Sequence, residues 1–535
     1  MNTNSMKHNY LFLLILTVVF AIVYVRIFDP KLDLNGDNAR YIQLAKNISA
    51  GLGYNNESIN GLTPEGHFPP GYPAFLSAFM SIGINNLIFF KVLNGILLFL
   101  SLALLFYLVR KITDNAVLAF TVSLLPLFCP QLLHFSTIVM SEMLFLFLSV
   151  MCLFALFRYT GSSRNFWKSP WFYFAVIAAG ISYYVRATGY AVVFGLLLFF
   201  LFRKEWKQLL ASLFGCILII IPWMIRGREL GGNRYLREVL AVNIWRPEEG
   251  SISTVGDFLW KVGHNFDESI IKGTKEILFP FIPVDYNVIS GFLGVVGGLL
   301  ILVVIFYGAW RLKPLRWAVI GYIVGTVGMV SIGTGGNGSR YIVPVAPVLF
   351  VCFYVGIYYM VKQFIVKKES PSFRSFPYAF LLIAMLMFPS LKTMGEMSKQ
   401  PYPPAYQNFF VIAKEMQRQL PPRMVCCSRK PELFNYFADK MHAVNYKYTT
   451  DCDELLRDLI DKKVDFVILE QLGYSSTQRY LYPAIEANPE LFPVVWHLPN
   501  PDTYLLRFDR QKAERKTGKP LKEEYYEQKE KEEKR

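Results

Sequence analysis

Charge is scarce in this chain. Of 535 residues, 18% are Asp, Glu, Lys or Arg, whereas 53% are hydrophobic and 16% aromatic. So little charge argues against an ordinary soluble enzyme, and the apolar and aromatic content excludes disorder, coiled coil and collagen. The seven cysteines contain no Cys-x-x-Cys pair, so neither a zinc site nor a disulfide framework can be argued. Cys129, Cys152, Cys216 and Cys352 lie in apolar runs and Cys426 and Cys427 in a strand-like stretch, where a thiol behaves as a small hydrophobe. A His-Glu-x-x-His motif is absent, and so is a glycine-rich phosphate fingerprint after the first C-terminal strand, where the chain reads SRKPE. Acidic residues are in deficit, leaving a net charge of +15. The surplus is not a nucleic-acid footprint, because Lys and Arg fall in short clusters between apolar runs, as in an anchored membrane protein.

What is present is a succession of apolar runs. A helix needs about 20 mostly apolar residues to cross the hydrocarbon core. Eleven segments are expected to do so: 10–28, 87–109, 115–133, 137–157, 171–184, 187–202, 208–225, 288–309, 315–333, 341–361 and 375–391. Residues 171–202 are divided because an unbroken helix would hold Arg186 in mid-membrane. The first run ends at Phe28-Asp29-Pro30, with no small-residue cleavage site, so it is expected to stay as a span. With the N-terminus inside, Lys7, Arg110, Lys111, Arg203, Lys204, Arg311, Arg316 and Lys362 fall on the inner side, and the outer loop 333–340 keeps only Arg340. Three larger blocks then lie outside: 29–86, 226–287 and everything after 391.

In the first block, residues 38–50 have the spacing of an amphipathic helix entered through Asp33-Leu-Asn-Gly-Asp37. HFPPGYP (67–73) sets a rigid corner, followed by a short apolar helix over 74–82. The second block is expected to be partly helical, at 253–265 and 267–278, and long enough to form a lid. Residues 392–510 read as a small α/β domain with strands at 424–427, 466–469, 493–498 and 503–508 and helices at 431–440, 453–463 and 478–488. The charged stretch 511–535 is expected to be a disordered tail.

Asp37 is the first candidate for chemistry. As a first-turn residue it could simply stabilise the helix it opens. As a carboxylate over an outer cavity it could act as a general base. Arg40 and Tyr41 lie about one turn on and could share its face. Glu142, near the outer end of the fourth span, is either a polar contact between helices or a second group facing the same cavity. Arg186 and Arg340 stand at outer ends of spans, where arginine is disfavoured; a lipid-linked phosphate would account for both, since arginine grips phosphate through a bidentate fork. Gly335, Gly336 and Gly338 would let backbone approach such an anion. Arg226, Arg228 and Arg234 are weaker additions from the second block.

GDNARY (36–41), HFPPGYP (67–73), SEMLFLF (141–147), VRATG (185–189), PWMIRG (222–227) and SRYIVPVAP (339–347) occur in an order that resembles the glycosyltransferase C superfamily, in its bacterial branch of protein mannosyltransferase-like and lipid A aminoarabinose transferase-like proteins. The resemblance implies a polytopic helical membrane protein of about eleven spans with an extracytoplasmic α/β domain, placed in a bacterial inner membrane with its site on the periplasmic side. It implies inverting transfer of a sugar from a polyprenyl-phosphate donor to a hydroxyl on a glycan, lipid or protein, with membrane lipid as a partner and no nucleic acid. In that pattern Asp37 is the base or acceptor-orienting group, Glu142 the acidic residue of the fourth span, and Arg186 and Arg340 the cations at the phosphate. His67, Pro70, Arg40, Tyr41, Arg226, Arg234 and Tyr341 are the remaining expected substrate contacts. Relatives often carry a second acid after the first; Asn38 stands there here. No cofactor is required by any motif, and a divalent metal is left open. The alternatives are a lipid-linked glycan transporter or flippase, against which stands the lack of evident matched halves, and a noncatalytic assembly partner, in which Asp37 would tolerate change.

Overall fold

The computed structural model describes residues 3–58, 61–161, 165–230, 238–333, 335–336, 338–366 and 371–518. Among the described residues, seven helices are long and apolar enough to cross a membrane: His8–Ile27, Leu87–Thr113, Glu142–Thr160, Trp206–Glu229, Phe292–Arg311, Gly338–Val366 and Ser372–Met397. One further pair, Ala116–Phe128 and Pro130–Ser136, passes the same test but is bent by 74°. Three apolar helices are shorter: Pro170–Val185, Ala187–Phe202 and Arg316–Ile332. Each expected segment thus coincides with a helix, the third of them broken at Pro130, whose ring cannot continue the preceding hydrogen-bond ladder. The division at Arg186 is real. The helix ends at Val185, Arg186 is extended (φ −149°, ψ 143°), and a 3₁₀ turn at Ala187–Gly189 leads into Tyr190–Phe202.

The spans differ in how they are covered. The apolar window of Gly338–Val366 is 89% buried, so this helix runs through the centre. Those of His8–Ile27, Trp206–Glu229 and Phe292–Arg311 are 17–22% buried, leaving faces such as Leu14, Ile22, Leu210, Phe214 and Leu293 uncovered, as lipid-facing surfaces are. At the ends of the spans nearest the helix Asp37–Ser49 a polar seam is buried. Asn94 donates to the carbonyls of Ile138 and Met140, and Tyr24 to those of Lys91 and Ser136. These bonds satisfy the unwound backbone between Ser136 and Glu142, which a hydrocarbon surround could not.

The first outer block contains the helix Asp37–Ser49, a hairpin of β1 (Asn55–Ser58) and β2 (Gly61–Pro64), and the helix Gly71–Met80. The Pro-Pro-Gly corner has a steric reason. A Cβ on Gly71 would lie 2.7 Å from the carbonyl of Tyr184, so only glycine lets this turn rest on the end of the span before Arg186. In the second block Val255–Phe266 is capped by a reciprocal Thr254–Asp257 pair and passes through a π turn, Asp267–Lys272, into Gly273–Leu278.

The C-terminal sheet has the order β4-β3-β5-β7-β6, with β3 Val425–Cys427, β4 His442–Val444, β5 Phe466–Leu469, β6 Val494–Leu498 and β7 Thr503–Arg507. β4, β3 and β5 are parallel; β7 and β6 are antiparallel additions. Alternation along the strands divides the core. Cys426, Phe466, Ile468 and Leu505 join the large core continuous with the spans, whereas Val425, Cys427, Val467 and Leu506 pack with Leu455, Leu456 and Leu459 in a second cluster. Two elements were not foreseen, the helix Pro404–Gln419 and the short strand β4. Order also continues past residue 510, against expectation. Arg510–Thr517 is helical, with Ala513 fully buried and Arg510 bonded to Asp465 at 2.7 Å.

Candidate functional site

Four charged residues from four distant segments form one chain. Arg340 Nη2 donates to Asp37 Oδ2 at 2.8 Å, and its Nε stands 3.7 Å from Glu142 Oε1. Arg186 Nη1 reaches the same Glu142 oxygen at 2.7 Å and Ser141 Oγ at 3.1 Å. The chain has an inner and an outer half. Glu142 is fully buried and Arg186 is 12% exposed, whereas Asp37 and Arg340 are 32% and 29% exposed. Two carboxylates and two guanidiniums balance, which is what allows the buried half to remain charged.

Local structure explains each position. Gly36, with φ +94°, caps the helix Asp37–Ser49, and the Asp37 amide donates to Asn35 Oδ1. The Asp37 side chain is therefore not the cap of its own helix; its hydrogen bond goes to Arg340. Glu142 opens the helix Glu142–Thr160, where the helix dipole favours a negative charge. Arg186 projects from the break between two spans, and Arg340 from the 3₁₀ segment Gly338–Val345.

The other expected residues divide. Tyr41 is 5% exposed and donates to Ser141 Oγ at 3.5 Å, so it adjoins the chain; burial, reinforced by the charge of Glu142, pushes its hydroxyl far above the ordinary tyrosine range and keeps it a donor. Tyr341 follows Arg340 in the same segment and packs against the core. Arg40 instead bonds Glu65 and reaches Glu432 of the C-terminal domain at 3.4 Å. Burial opposes the charge on Glu65, but Arg40, Asn56 and the His67 amide outweigh it and hold that carboxyl below its usual value. His67 lies 3.8 Å from Glu238, and Pro70 forms the corner before Gly71–Met80. Arg226 donates to the carbonyls of Tyr54 and Glu65, tying its span to the first block, while Arg228 lines a groove between two spans. Arg234 lies outside the described residues.

The glycine turn does meet an anion, but one of the protein's own. The amides of Gly336 and Gly338 donate to the two oxygens of Glu268 at 2.9 and 3.0 Å, and Asn265 donates to the carbonyls of Ser331 and Gly333. The second outer block is thus fastened to the turn that carries Arg340. Ser141, Glu65 and Glu268 were not singled out from sequence. Ser141 stood inside a quoted motif and Glu65 two residues before the proline corner, but Glu268 had no sequence signal.

Among the described residues no three His, Cys, Asp or Glu side chains gather as metal ligands. The donor set does not suit a bridging cation either, because the guanidinium of Arg340 stands between Asp37 and Glu142. Asn38 is an amide that donates to the Asp33 carbonyl, and the Asp33 carboxylate faces His134 at 3.8 Å, so neither neighbour gives Asp37 a second carboxylate.

The fold, a bundle of spans with a small α/β domain, is similar to that of solved glycosyltransferase C structures. The family model described as dolichyl-phosphate-mannose-protein mannosyltransferase matches residues 67–225. ArnT from Cupriavidus metallidurans, bound to undecaprenyl phosphate, is similar with a TM-score of 0.55 at 13% identity, over 92% of this chain and 97% of that one. Its apo state gives 0.53 at 14% identity, over 95% and 99%. The Archaeoglobus fulgidus oligosaccharyltransferase, complexed with Zn and sulfate, gives 0.54 at 13% identity, over 92% and 72%. No curated protein sequence matches the chain.

Proposed function

We propose that the protein is an inverting glycosyltransferase that moves a sugar from a polyprenyl-phosphate donor to a hydroxyl acceptor on the outer face of a bacterial inner membrane. The observation that carries this reading is the pairing of Asp37 with Arg340 at the half-exposed end of a buried charge chain. Arg340 offers the donor phosphate a fixed cation, and a phosphate arriving there gives the guanidinium a second anion to bond. Asp37 is then released to take the proton of the acceptor hydroxyl. That oxygen attacks the anomeric carbon opposite the phosphate, the glycosidic bond to phosphate breaks, and the polyprenyl phosphate leaves with the bonding pair, its charge met by arginine. In-line displacement by a single base inverts the anomeric centre, unlike the double displacement of a retaining carboxylate pair.

Glu142 is too deeply buried to meet a substrate. It acts through Arg186 and Arg340, fixing both guanidiniums. A groove of about 680 Å3 lies between Tyr190–Phe202 and Trp206–Glu229, walled by Val193, Leu213, Ile217 and Ile221 with Arg228 in its lining. Its Tyr190 lies four residues beyond Arg186, which suits a lipid tail whose phosphate stands at the outer ends of the spans. The bound undecaprenyl phosphate of the ArnT structure supports the same donor class. Similar chemistry serves lipopolysaccharide or protein glycosylation in envelope biogenesis, and the acceptor decides between them.

The test is comparison of envelope glycans, glycolipids and glycoproteins by mass spectrometry in cells with and without the protein. Loss of one sugar from one envelope component, with its polyprenyl-phosphate donor accumulating, is the expected result. An unchanged envelope would overturn the reading, and donor accumulating on the inner leaflet only would overturn it in favour of a flippase.

A further inference from the structure

A second set of charged and aromatic side chains lies where the C-terminal domain meets the second outer block, and the mechanism above leaves it unused. It gathers just beyond the carboxyl ends of the parallel strands β3, β4 and β5. Arg429, two residues past β3, places its guanidinium 4.5 Å from the ring centre of Tyr474, 5.5 Å from that of Tyr448 and 5.4 Å from that of Trp245. Its Nε donates to Ser476 Oγ at 2.7 Å; no carboxylate lies within ion-pair distance of it among the described residues, and the nearby Glu470 acts on it only through space. Lys430 lies 4.7 Å from the same Tyr474 ring and donates to the carbonyl of Asn35 at 2.7 Å, two residues before Asp37. Glu470, directly after β5, is 4% exposed; one oxygen accepts from Thr477 at 3.0 Å, and the other is buried with no hydrogen-bond partner among the described residues.

These observations belong together. The carboxyl ends of parallel strands are where open α/β sheets bind ligands, because the departing loops leave a crevice there. A guanidinium held by one nitrogen keeps its terminal N–H groups for a planar anion. Aromatic faces receive the apolar face of a sugar ring, and Trp245 is 55% exposed. The unpartnered buried oxygen of Glu470 marks an unmet hydrogen-bonding position beneath this set. Lys430 links the crevice to the turn that carries Asp37.

We propose that this crevice is the acceptor site and that it takes a saccharide bearing a phosphate or a carboxylate, with the anion on Arg429 and the sugar ring against Tyr474 and Trp245. The assignment rests on the reading of Asp37 as the acceptor's base, but its test does not. Full-length protein in detergent is titrated with glucose 6-phosphate, glucuronate and glucose, and binding is followed by saturation-transfer NMR and calorimetry. At least one charged sugar is expected to bind saturably, at least tenfold tighter than glucose, and the two charged probes separate phosphate from carboxylate recognition. Arg429→Gln is expected to remove that preference and Trp245→Ala to weaken the charged sugar without changing its preference over glucose. The titration reads binding without any transfer step, so failure of the base and failure of this site read separately. Equal binding of glucose and both charged sugars, no saturable binding, or parental binding by both Arg429→Gln and the milder Arg429→Lys would overturn the proposal.

Discussion

Arg340 bonds Asp37 at 2.8 Å across 303 positions of chain. The bond joins the first turn of the helix Asp37–Ser49 to the start of the most buried span, so the candidate base and candidate phosphate cation hold each other in place before any substrate arrives. Removing the cation should therefore damage both functions. Arg340→Ala is expected to lower kcat/KM about 10²–10³-fold, the usual cost of losing one preorganised charge contact. Arg340→Lys should recover part of this as a point charge without the fork. Steady-state kinetics with a polyprenyl-phosphate sugar measure both.

The inner half of the charge chain is expected to govern stability. Glu142 is fully buried, and Glu142→Gln leaves Arg186 there without its counter-charge. Breaking a buried pair from one side costs about 3–5 kcal/mol. The double variant Glu142→Gln, Arg186→Gln should lose less than the sum of the single losses, because neither charge is then stranded. Thermal unfolding of the four proteins in one detergent gives the coupling directly.

Gly71 tests the proline corner. Its missing side chain admits the Tyr184 carbonyl, which a Cβ would approach to 2.7 Å. Gly71→Ala must displace the helix Gly71–Met80 or the span end before Arg186, with an expected loss of about 1–3 kcal/mol. Gly263, inside the helix Val255–Phe266 with nothing within 4 Å of its would-be side chain, should not lose stability through crowding. Unfolding midpoints of the two alanine variants provide the comparison.

Glu470 should make the C-terminal domain sensitive to pH. Burial raises its carboxyl from 4.5 to about 7, against smaller opposing effects from Thr477 and Arg429. The folded domain therefore binds the proton more tightly than the unfolded chain. Its contribution is fully present below about pH 4.5 and is lost as pH rises through about 7. Relative to Glu470→Gln, the parent should lose stability across that window. Circular dichroism melts of full-length protein from pH 4.5 to 8 measure the difference.

Spans were legible in the sequence because the bilayer demands long apolar runs, and the cost of a mid-membrane arginine located the break at Arg186 correctly. The site was legible in part for the same reason. Asp37, Glu142, Arg186 and Arg340 were conspicuous as charges at apolar ends, and the fold brings them together. Arg40 was conspicuous too, yet its partners are Glu65 and Glu432, the second nearly 400 positions away, and no local pattern reports such a pairing. The glycine turn suggested an anion correctly but not whose; Glu268 comes from a different outer block. Strand β4 escaped notice because three residues are too few to show alternation. The helix Arg510–Thr517 was hidden by its charge, since packing of Ala513 and the Arg510–Asp465 bond, not composition, hold it.

The most direct measurement is sugar transfer by the Asp37→Asn protein, reconstituted in lipid with a radiolabelled polyprenyl-phosphate sugar and membrane extract as acceptor. Asparagine keeps the size and can still meet Arg340, but it cannot take a proton. The account predicts normal insertion, retained donor binding and transfer reduced about 10²–10⁴-fold, the range general-base catalysis supplies. Transfer at the parental rate would contradict it.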